Sequence, residues 1–118
     1  MRRMGNLKPE QIYESVEFIV NAPAGDREFK GPAVPAGRVV KIETFYLVDE
    51  STAAKEITLG MCKGNVIHVL RHETCGTGIY GLSLLTPLIL VEGVRPYAKI
   101  TSATLNVELN FVVRGVYL

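Results

Sequence analysis

Between Ala103 and Val113 the chain alternates with a period of two. Leu105, Val107, Leu109, Phe111 and Val113 share one parity, and Thr104, Asn106, Glu108, Asn110 and Val112 share the other. Successive strand side chains point to opposite faces, so this run predicts a strand with one buried and one wet side, as in an antiparallel sheet. A chain built around such a strand must supply partners for it, and the remaining sequence repeats the same grammar.

Gln11–Val20 carries Ile12, Val16, Phe18 and Val20 on one parity, interrupted by Glu14, and reads as a strand, with a helical reading open for Glu10–Glu17. Arg38–Val48 places Val40, Ile42, Thr44, Tyr46 and Val48 on one face, with Val39, Phe45 and Leu47 on the other beside Lys41 and Glu43. Shorter strand-like runs follow at Ile57–Met61, Val66–Arg71, Ile79–Leu85, Leu88–Val91 and Tyr97–Thr101, and Glu28–Lys30 reads as a short edge. Turn clusters separate them: Asn21–Asp26, Gly31–Gly37, Cys75–Gly78 and Glu92-Gly93, where Pro fixes φ and Gly supplies positive φ. Eight or nine strands with turns every 8–12 residues predict an all-β antiparallel sandwich or barrel. The expected core is Val16, Phe18, Ile42, Tyr46, Leu59, Leu90, Leu105, Leu109 and Phe111.

At 118 residues the chain is long enough for one domain. Residues 1–10 read as a flexible polar arm and 11–118 as a single β-sandwich. Thirteen basic and twelve acidic side chains are dispersed, for a net charge of +1, so no basic block marks a nucleic-acid face. No run approaches the ~20 apolar residues of a membrane-spanning helix. The start, Arg2-Arg3 then Gly5–Glu10, lacks the apolar segment of a secretory signal, so synthesis in the cytoplasm is expected, with no membrane partner.

Motifs that carry chemistry are sparse. Gly76-Thr77-Gly78-Ile79-Tyr80-Gly81 matches G-x-G-x-x-G, but Pro87 follows too closely for the helix a dinucleotide site requires, so a glycine-rich turn is expected and no cofactor. Cys62, His68, His72 and Cys75 are the metal-ligand candidates, since zinc takes four such side chains tetrahedrally. On a strand, His68 and His72 stand roughly 13 Å apart. Two buried thiols and two surface histidines, with no metal, are therefore the expectation. His72 with Cys75 is a nucleophilic dyad on paper, lacking an orienting third group. Pro35-Ala36-Gly37 with His68 and Glu73 resembles a cupin metalloenzyme. It departs from that family twice, in the histidine spacing and in the order of the motifs. No catalytic residue is assigned.

Three segments, taken in order, resemble small jelly-roll proteins of tailed-phage particles. They are Val34–Ile42 running to Phe45–Asp49, Leu85–Val94, and Ala103–Val113 with its Arg114–Leu118 tail. The resemblance implies a jelly-roll-like sandwich and a non-enzymatic virion protein that decorates or cements the capsid. It also implies a homo-oligomer, most often a trimer, that contacts the major capsid protein or other virion subunits. A mean hydropathy of +0.20 fits a surface partly covered by other subunits. Thr104, Asn106, Glu108 and Asn110 are the interface candidates, because amides and hydroxyls can bond across a contact without burying an unpaired positive charge. The other reading is a β-sandwich module for a sugar or small molecule, for which a pocket lined by Tyr80 or Tyr97 is expected.

Overall fold

The structure is a computed structural model that describes residues 11–19, 25–50, 55–75, 81–103 and 107–118. Among these residues the strands are β1 (Ile12–Ile19), β2 (Gly25–Lys30), β3 (Val39–Asp49), β4 (Lys55–Lys63), β5 (Val66–Cys75), β6 (Gly81–Ser83), β7 (Leu88–Val91), β8 (Arg95–Ala103) and β9 (Leu109–Tyr117). Every strand pair is antiparallel. No helix of the described residues is long and apolar enough to cross a membrane.

One sheet runs β1-β9-β3-β6, with β7 also against β3; the other runs β2-β8-β4-β5. β6 pairs with Tyr46–Val48 and β7 with Val39–Ile42, so the two lie end to end along β3 as one strand position. Pro87, which lacks an N–H for the ladder, falls in the gap. Two sheets of four positions in this order form a jelly roll. The chain crosses between sheets by turns that interlock. Pro35-Ala36-Gly37-Arg38 and Val91-Glu92-Gly93-Val94 each close with an i to i+3 bond of 3.1 Å, with φ of 75° and 80° at the glycines. Those angles at the third turn residue are type II, which only glycine adopts without strain. The Gly93 N–H then donates to the Val34 carbonyl at 2.8 Å, and the Gly37 N–H to Glu92 Oε1 at 3.3 Å.

The core bridges the sheets through aromatics. Phe29 of β2 stacks on Phe111 of β9 at 5.3 Å, and Phe45 of β3 meets Phe111 edge-on at 6.0 Å. Val40, Ile42, Leu47, Leu90, Leu109 and Val113 close over Ile57, Leu59, Ala98 and Ile100. Ile42, Leu59, Leu90, Leu109 and Phe111 are thus core residues, as expected.

Four expectations differ. Val16 and Phe18 are 36% and 64% exposed; the inward residue of β1 is Tyr13, at 2%. The Tyr13 ring meets Tyr117 edge-on at 6.1 Å, and its hydroxyl donates to the Pro32 carbonyl at 2.5 Å. One large, satisfied tyrosine therefore sets the parity of β1 and turns the more apolar side out. In β3 a bulge between Ile42 and Thr44 inserts Glu43. An extra residue reverses the parity beyond it, so Phe45 and Leu47 point inward and Tyr46 is only half-buried. The third difference concerns the alternating run itself. β8 ends at Ala103 and β9 begins at Leu109, so the run is not one continuous strand. Leu105 lies outside the described residues. Finally, Val112, on the polar parity, is 3% exposed on the outer side of the sheet.

Candidate functional site

The four metal-ligand candidates do not converge. Cys62 pairs in register with Ile67, and Cys75 with Lys55, at opposite ends of the β4–β5 hairpin. Seven strand steps separate them, about 23 Å; both are buried and free. His68 opposes Met61 and, with Cys62, Ile89 and Val91, lines a cavity of about 210 Å³. His72 lies farther along β5, where Nδ1 sits 2.7 Å from Thr58 Oγ1 and Nε2 3.8 Å from Glu56 Oε1. Among the described residues no three His, Cys, Asp or Glu side chains gather as a metal site. His72 and Cys75, three apart on a strand, point to opposite faces and form no dyad. Burial pushes the Cys75 thiol up from its ordinary value, which lowers its thiolate fraction.

The His72 cluster is a solvated hydrogen-bonding patch on the second sheet. Thr101 Oγ1 donates to the Glu56 carbonyl at 3.2 Å and lies 3.4 Å from Glu56 Oε2. Sequence reasoning missed Glu56, Thr58 and Thr101 as neighbours of His72. Counting back from the Gly64-Asn65 turn sets Thr58 against Arg71; a register shift at Leu59/Gly60 moves the partner to His72.

Of the G-x-G-x-x-G run only Gly81 is described, and it opens a strand rather than a helix. A Cβ there would lie 2.5 Å from the Leu47 carbonyl oxygen, so this glycine permits close strand packing. Tyr80 lies outside the described residues. Tyr97 is 3% exposed and donates to Glu28 Oε2 at 2.6 Å. Burial, then that bond, raise its pKa; burial likewise raises that of Tyr13. Tyr97 is thereby committed to a structural bond.

Of the interface candidates, Thr104 and Asn106 lie outside the described residues. Glu108 is exposed, and its carbonyl accepts the Glu50 N–H at 3.1 Å. Asn110 is half-buried opposite Phe18 of β1 and Val48 of β3, with its Oδ1 buried and lacking a hydrogen-bond partner. It belongs to the outer face of the first sheet, one of two places among the described residues where large apolar side chains are exposed; the other is Val66–Leu70 of β5. Register places Phe18, Asn110 and Val48 in one row and Val16, Val112 and Tyr46 in the next. Glu14 and Arg114 follow, paired at 3.1 Å, so these two charges neutralise each other. A depression of about 390 Å³ lined by Tyr46, Val48, Gly81, Leu82 and Ser83 continues the face to β6. Ile89 and Val91, both about half exposed, extend apolar surface along β7. This apolar field, whose charges are the Glu14–Arg114 pair and Lys41 in the row of Val116 and Ile89, is suited to covering by another surface. Compared with protein-family models, curated proteins and solved structures, the chain matches none.

Proposed function

We propose that the chain is a non-enzymatic structural subunit of a phage-like virion, which decorates or stabilises the shell through protein–protein contacts. The observation that carries this reading is the outward apolar face of the first sheet, above all Val16 and Phe18. Exposing these while Ser15 and Glu17 take the inward parity leaves apolar area in water that association can bury. The jelly-roll strand order agrees with the resemblance to small phage jelly rolls, and such folds host many functions, so the surface rather than the fold carries the reading.

On this reading the partners are further copies of the chain and other virion subunits, and the protein resides in the particle. Light scattering on the purified chain, from micromolar to near-millimolar concentration, is expected to give masses rising above the 13.0 kDa monomer. A monodisperse monomer throughout contradicts self-assembly.

A further inference from the structure

The four sheet edges of this sandwich are not equally protected. A free strand edge offers unpaired N–H and C=O groups to any other chain, and proteins blunt it with bulges, lysines, prolines or short strands. β2 is six residues long, has a register shift between Gly25 and Arg27, and ends on Lys30. β5 has the register shift at Leu59/Gly60 and carries Arg71, whose guanidinium is committed to the Ser83 carbonyl. β6 and β7 are three and four residues long with Pro87 between them. β1 is protected less: it has no bulge, lysine or proline, and its charges are Glu14, paired with Arg114, and Glu17 on the inward parity. It pairs with β9 over eight consecutive residues without a shift, and contains no Lys, Arg, Pro or Gly. Its outward parity is Ile12, Glu14, Val16 and Phe18.

We infer that β1 is a self-recognition edge: a second copy adds its own β1 antiparallel to it, joining the first sheets of two molecules across a two-fold axis. The inference rests on the assembly reading above and names its partner and strand. A second copy fits in two registers that keep acids from facing acids directly. With the axis at Ser15, Ile12 faces Phe18 of the other copy, Glu14 faces Val16, and Tyr13 faces Glu17. No acid then meets an acid, and each Glu14 keeps its Arg114 at 3.1 Å. With the axis at Val16, Val16 meets Val16 and Glu14 meets Phe18. Antiparallel registers centred on Glu14 or Glu17 put like charges opposite and are disfavoured. Antiparallel pairing of one strand with its own copy is isologous, so it closes at two molecules and does not propagate as a fibre.

The contact is small. Eight residues span about 26 Å, and a strand-wide strip of that length covers roughly 300 Å² per copy, below the ~1,000 Å² total of a stable complex. The pair is therefore weak and concentration-dependent in solution, and gains strength where many copies are held together, because each further contact is then intramolecular.

Cysteine substitution tests the edge. Ser15→Cys and Val16→Cys sit at the two permitted axes, where opposed Cβ atoms approach disulfide distance. Under mild oxidation at least one is expected to give a cross-linked dimer. Val69→Cys on β5, at a site 58% exposed, is expected to stay monomeric. Val16→Lys is expected to weaken self-association at least tenfold, and Phe18→Lys serves if that variant fails to fold. Cross-linking at Val69 but at neither β1 position overturns the β1 contact and leaves the assembly reading standing. No cross-link anywhere, with a monomer by light scattering, overturns both.

Discussion

Replacing Lys55 with methionine is expected to destabilise the fold by about 3–5 kcal/mol. Lys55 opens β4, Asp49 ends β3, and their side chains are 1% and 0% exposed with Nζ 3.9 Å from Oδ1. Removing the ammonium leaves a carboxylate in the interior without the cation beside it, and that cation no longer offsets the desolvation cost of the charge. The pair is not thereby a large net stabiliser. Replacing both members by apolar residues of similar size is often neutral or better, because neither charge then has to leave water. Asp49→Leu combined with Lys55→Met is accordingly expected to recover most of the loss. Urea midpoints at constant m-value report this directly. A double variant as unstable as Lys55→Met alone contradicts it.

Phe111→Ala is expected to cost about 3–5 kcal/mol, the range for emptying a buried aromatic site. Phe111 is the middle ring of the aromatic trio, held between Phe29 at 5.3 Å and Phe45 at 6.0 Å, so truncation removes both ring contacts and opens the space between the sheets. Phe18→Ala supplies the comparison within the same sheet. At 64% exposure its ring leaves little cavity, and an effect within about 0.5 kcal/mol is expected. Equal losses at the two positions contradict the parity assigned to β1.

That comparison marks how far the sequence could be read. Period-two alternation was sufficient for the all-β class, because β1, β3, β4 and β9 show it, and the Pro35–Gly37 and Glu92-Gly93 turns were legible from their φ requirements. Parity was harder. Val16 and Phe18 form the more apolar side of β1, yet Tyr13, with a hydroxyl bonded to Pro32 and a ring against Tyr117, fixes the other side inward. Those partners lie 19 and 104 residues away, so no local pattern reveals them. Glu43 in β3 and the shift opposite Leu59 in β5 each add one residue, and a single residue exchanges the faces of everything beyond it. Tyr46 was misplaced, and the neighbours of His72 were missed, for that reason.

The same physics made the candidate site only partly legible. The alternation from Ala103 to Val113 was read as one strand with a polar contact face, whereas β8 ends at Ala103 and β9 begins only at Leu109. Asn110 is the member of that predicted set that reaches the outer face of the first sheet, between Phe18 and Val48. The apolar surface around it comes from β1 and β3, whose outward parity the sequence pattern assigned to the core. An exposed apolar stripe and a buried one have the same alternation. Only the tertiary partner distinguishes them.

Amide hydrogen exchange along β1, at low and high protein concentration, tests most directly whether this edge is a contact surface. In an edge strand alternate N–H groups point away from the neighbouring strand and exchange with solvent. Pairing of β1 between copies predicts that these outward amides slow as concentration rises, while those of Val66–Leu70 on β5 do not change. Outward amides of β1 that exchange at the same rate at every concentration, in a protein whose mass remains that of a monomer, would contradict it.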